Sequence, residues 1–172
     1  EEDDTIYSLH PIMNRYAQHL LKFEDGLGIV RVSKSSKALN LRTVIKNRYG
    51  KELKCVCIGS DSECDYSIKE GLDIISKLVL RQKKRVVLIV VQALSAGKDL
   101  GNLKNKVRFG IESRGSQLAN GSQGIAGRLC GYHDNRDFKL MANVELLQHY
   151  AQFEQNWEIY SEDEWKDRLY DL

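Results

Sequence analysis

A chain of 172 residues, 42% apolar and 29% charged, is long enough for one domain with its own core and has an ordinary globular composition rather than a disordered or fibrous one. Its longest apolar run, Val86 to Val91, falls far short of the ~20 residues of a membrane-spanning helix, and the opening Glu1-Glu2-Asp3-Asp4 has the wrong charge for a secretory signal. The net charge of +2 hides segregation: eight basic residues and one acid between Arg31 and Lys54, eight and one between Arg81 and Arg108, then eight acids against two bases from Glu145 onward. A basic body with an acidic tail fits a polyanion partner, nucleic acid above all, although solvated helix faces give the same count. The start at Glu1 without Met points to an excised or processed chain. Four Cys do not make a disulfide framework at this length, and the expectation is reduced, mostly buried thiols in a cytoplasmic protein. Cys55 and Cys57 fall on one side of an extended strand with Cys64 in the next loop. A zinc site would have to pair Cys130 with His133.

In chain order, residues 5–22 read as a helical lead-in ended by Asp25-Gly26. Leu27 to Val32 is a strand. Ser35-Ser36 caps a helix running to Tyr49, with Leu39, Leu41 and Ile45 on its apolar side and Gly50 as its stop. Leu53 to Ile58 is a second strand, and Tyr66 to Leu80 a helix with Ile68, Leu72, Ile75, Leu78 and Val79 at helical spacing. Val86 to Val91 is unbroken and mostly β-branched, as in a strand buried on both faces. Val107 to Ile111 is a strand, Gly121 to Cys130 begins a helix, Phe138 to Met141 is a strand, and Val144 to Gln155 a closing helix. Strands alternating with helices predict a parallel sheet: an α/β fold of three layers. His10, His19 and His149 are expected on the surface. Trp157 and Trp165 are expected to dock the acidic tail.

Parallel α/β sheets bind ligands beyond the carboxyl ends of their strands. The segments in question are Ser33-Lys34-Ser35-Ser36, Gln92 to Asp99 and Gly121 to Arg128. The chain has no G-x-x-x-x-G-K-[ST] phosphate loop, no His-Glu-x-x-His metal helix, no nucleophile elbow and no kinase signature. What it has, in order across residues 25–155, resembles the second, C-terminal RecA-like lobe of superfamily 2 helicases and translocases. Ile29 to Ala38 is similar to motif IV, a strand, a polar turn and a helix start. Leu88 to Leu100 resembles motif V, a buried strand followed by G-x-D at Gly97-Lys98-Asp99. Gln123 to Arg128 resembles motif VI, a Gln before a Gly-Arg pair. The family's motif VI reads Q-x-x-G-R-x-x-R. Here the interval from Gln123 to Gly127 is one residue longer, and Gly131 stands where the second Arg belongs.

The resemblance implies a motor lobe at 25–155, a lead-in at 1–24 and an acidic tail at 156–172. It implies that ATP and Mg are bound mainly by a first lobe whose motifs this sequence lacks. Arg128 would be the arginine finger, stabilising charge that develops on the γ-phosphate, with Arg136 the other candidate. Gln123 would help join the closed lobes. Gly97 and Asp99 would serve the nucleotide, Asp99 accepting a hydrogen bond from its ribose or from the motif VI Arg. Ser33, Lys34 and Ser95 would touch the sugar–phosphate backbone of a single strand, DNA rather than RNA. The implied partners are nucleic acid and an N-terminal lobe of the same protein, with no membrane, and the chain itself a monomer. The alternative is a stand-alone RecA-like binding or regulatory module without ATPase activity.

Overall fold

The computed structural model describes residues 4–59, 63–91, 100–113, 137–142, 148, 151–152 and 155, with side chains from residue 11 onward. The chain begins with helix α1 (Asp4–Leu20) and strand β1 (Gly26–Val32). Helix α2 (Ser35–Tyr49), strand β2 (Lys54–Ile58) and helix α3 (Ile68–Ser76) follow. A wider π-type turn, Lys77–Arg81, extends α3. Then come β3 (Arg85–Val91), a 3-10 helix (Gly101–Lys106), β4 (Val107–Glu112) and the short β5 (Lys139–Met141).

The five described strands form one sheet in the order β2-β3-β1-β4-β5, and every pairing is parallel. Period-two alternation sorts the side chains into two cores. Val30 and Val32 of β1 join Val87, Ile89 and Val91 of β3 on the face covered by α1 and α2, where Met13, Ala17, Leu20, Ala38, Leu41, Ile45 and Tyr49 pack. Leu27 and Ile29 join Val86, Leu88 and Val90 on the other face, covered by Ile75, Val79, Leu100 and Leu103. Each such side chain, fully removed from water, contributes roughly 1.5–3 kcal/mol. That is why β3 carries no polar residue between Val86 and Val91. The expected three-layer α/β architecture is therefore observed.

Local details depart from expectation. Lys34, not a serine, occupies the N-cap of α2, with extended backbone (φ −132°, ψ 146°) and no side-chain cap. Leu39 is only partly buried; Ala38, Leu41, Ile45 and Tyr49 form the inward stripe. Gly50 ends the helix in right-handed conformation (φ −61°), and Tyr49 O accepts from the amides of Glu52 and Leu53. Ser67 is the N-cap of helix α3, and its side chain and Glu70 form a reciprocal capping box. In β1, Gly28 lies under the Phe109 ring, so close that a Cβ there would stand 2.1–2.7 Å from three ring atoms. Tyr16 of α1 meets the same ring edge-on at 5.3 Å.

Candidate functional site at the carboxyl rim

The sheet order sets β3, β1 and β4 side by side at its centre. Val32 of β1 is level with Val91 of β3, and Arg31 with Glu112 of β4, so the three strands end together. Ser33 and Lys34 continue from β1 at this rim, Ser33 partly buried and Lys34 exposed. Ser113 continues from β4, and both its amide (3.2 Å) and its Oγ (2.7 Å) donate to Arg31 O. The first residue beyond β4 is thus pinned to the end of β1.

Beneath the rim, Arg31 Nη1 donates to Glu112 Oε2 at 3.2 Å, with the two side chains 4% and 2% exposed. Alternation places the pair on the α3 face, above Leu27 and Ile29. Paired to Arg31, Glu112 does not present an isolated negative charge to the rim. Helix α2 adds the positive end of its dipole, with no acidic residue in its first turn and no side-chain cap. Ser33 and Lys34 set a hydroxyl and an ammonium group beside that helix start, while Ser113 is occupied in holding Arg31 O. Such a set favours phosphate oxygens over cations.

Of the residues expected at the site, the structure brings Ser33 and Lys34 to this rim. Ser95, Gly97, Asp99, Gln123 and Arg128 lie outside the described residues, as do Arg136, Cys130, His133, Trp157 and Trp165. Sequence reasoning missed Arg31, Glu112 and Ser113. The available signal was a charged residue inside the apolar run of β1 and another directly after Ile111.

Most described cations of the second basic segment lie away from the site, while Lys98 lies outside the described residues. Lys83, Arg85, Lys106 and Arg108 lie where β3 and β4 begin, at the amino edge, a strand length of roughly 20 Å from the rim. There Lys106 Nζ donates to both Asp25 carboxylate oxygens (2.9 and 3.0 Å), and Lys83 approaches the same group at 3.7 Å. Arg85 donates to Phe23 O, and Arg108 stacks over the Phe23 ring at 4.3 Å. These cations close the bottom of the sheet. His19, expected on the surface, is 8% exposed: its Nε2 lies 2.8 Å from Asp137 O and its ring meets Phe23 edge-on. Burial follows from a partner 118 residues away.

Among the described residues no group of three or more His, Cys, Asp or Glu could hold a metal, and no helix is long and apolar enough to cross a membrane. No protein-family model matches the chain, and no curated protein does. Among solved structures, the chain is similar to the Sulfolobus solfataricus SWI2/SNF2 ATPase C-terminal domain. The likeness has a TM-score of 0.47 and 16% sequence identity, and covers 98% of this chain and 68% of that one.

Proposed function

We propose that the chain is the second motor lobe of an ATP-dependent nucleic-acid helicase or translocase. The observation that carries this is the strand order. The three helicase-like motifs follow β1, β3 and β4 in sequence, and those are the three adjacent strands whose carboxyl ends meet at one rim. That edge is where parallel α/β sheets bind their ligands, which supports the reading.

In this reading the lobe occupies 25–155, with the lead-in at 1–24 and the tail at 156–172. Ser33 and Lys34 hold the sugar–phosphate backbone of a single strand, with Ser95 from the segment after β3, and the strand is DNA rather than RNA. The electropositive, acid-free start of α2 suits a phosphate at the same place. Arg128 reaches across to nucleotide held mainly, with Mg, by a first lobe. Gln123 steadies the closed pair, while Gly97 and Asp99 face the nucleotide. A fixed guanidinium supplies its stabilisation where charge develops, without reorganisation.

The test is steady-state ATP hydrolysis by a two-lobe protein carrying this chain. Arg128→Ala is expected to lower kcat by roughly 10³-fold or more while nucleic-acid affinity stays near wild type. If Arg136→Ala produces the loss instead, the finger moves to that residue. If neither substitution changes turnover in a folded protein, the motor-lobe reading fails.

A further inference from the structure

We propose that Cys57 and Cys64 are a redox-responsive dithiol that closes into an intramolecular disulfide, clamping the segment after β2 onto the end of its own strand.

The two sulfurs stand 3.6 Å apart. Cys57 is buried in the α2-side core, and Cys64 is partly buried at its margin. A disulfide needs about 2.05 Å between sulfurs, so closure asks for an approach of roughly 1.5 Å. The backbone is already set for it. Cys57 N donates to Asp65 Oδ2 at 2.9 Å, and Asp65 N donates back to Cys57 O at 2.9 Å. Arg42 of α2 holds the other Asp65 oxygen at 2.6 Å. Ile58 and Tyr66 form a parallel bridge one residue further on. The return segment is therefore fixed against β2 before any covalent bond exists, and most of the loop-closure entropy has been spent on hydrogen bonds and an ion pair.

Gly59 makes room for this arrangement. A Cβ there would stand 2.8 Å from Cys64 Sγ and 3.2 Å from the Val91 side chain. Cys57 is level with Ile89, two residues short of the end of β3.

The chemistry is thiol–disulfide exchange with a low-molecular-weight disulfide such as oxidised glutathione. Burial, then the contact with Cys64, pushes the Cys57 thiol up to about 12, so at neutral pH it is protonated and shielded. Exchange therefore begins at the accessible Cys64. Its thiolate attacks one glutathione sulfur, the glutathione S–S bond breaks, and one glutathione leaves as thiolate. Cys57 then attacks the Cys64 sulfur of the mixed disulfide, and the second glutathione leaves. The two protein thiols are oxidised, one small disulfide is reduced to two thiols, and both protein protons end on the departing sulfurs.

The experiment treats the full chain with oxidised glutathione, followed by intact mass, peptide mapping and alkylation. The expected result is loss of two hydrogens, a Cys57–Cys64 linked peptide, and near-complete loss of Cys64 alkylation that dithiothreitol restores. A Cys55→Ser/Cys130→Ser variant should behave identically, and Cys64→Ser should lose the response. A glutathione adduct that persists on Cys64, a disulfide to Cys55 or Cys130, or full alkylation of all the thiols after oxidation would each overturn the proposal.

Discussion

Arg31 and Glu112 form a buried pair between two central strands, and its stability consequences are asymmetric. Removing one partner takes a charge-assisted contact from the other in a buried setting, whereas replacing both can be neutral or better. Glu112→Ala is therefore expected to lose about 3–5 kcal/mol in denaturant unfolding. Arg31→Met with Glu112→Leu should return close to wild type. A double variant as unstable as the single one would mean that the pair holds the rim through more than charge. Gly28 tests packing in the same strand. Its missing Cβ is the space the Phe109 ring occupies, so Gly28→Ala should cost roughly 1–3 kcal/mol by overpacking. Phe109→Leu, added to it, should recover part of that loss. Unfolding midpoints of the three proteins decide the matter.

Among the elements, α1 looks detachable in the sequence yet contributes Met13, Ala17 and Leu20 to the core. Its end is tied by His19 to Asp137 O, just before β5. His19→Ala should cost about 0.5–1.5 kcal/mol by removing that hydrogen bond. Amide exchange should speed up in residues 139–141, and unchanged exchange there would deny α1 a part in holding β5. The elements themselves were largely legible. Unbroken β-branched runs marked β3, and alternating punctuation marked β1, β2 and β4, because burial on both faces leaves no other pattern. Boundaries were less so. The capping box at Ser67 starts α3 two residues beyond Tyr66, and Lys34 displaces the serines as the cap of α2. The order of strands was not readable at all, since it depends on which crossovers pack and not on any local signal. The burial of His19 was hidden for the same reason. At the rim, Ser33 and Lys34 were found because strand-end turns are polar. Arg31 and Glu112 were passed over because each looks like an ordinary charge until the register sets them level.

At the scale of the molecule, charges that look equivalent in the sequence divide between the two ends of the sheet. Lys34 and the start of α2 lie at the carboxyl rim, whereas Lys54 of the same basic run begins β2 at the amino edge. Lys83, Arg85, Lys106 and Arg108 gather at that amino edge, where Asp25, the Phe23 carbonyl and the Phe23 ring engage them. Charge counting alone would spread a polyanion over both. In the proposed reading the carboxyl rim is the surface for one, because β1, β3 and β4 end there beside the start of α2. Lys34→Ala should therefore weaken binding of a labelled single strand by the isolated chain and reduce the salt slope of log Kd by about one phosphate contact. Lys83→Ala, which removes a cation of the same charge from the other edge, should leave both quantities near wild type. Fluorescence anisotropy at two or more salt concentrations separates the two variants. Equal losses would mean that the strand binds by diffuse charge, and the carboxyl rim would then have no special claim as the nucleic-acid surface.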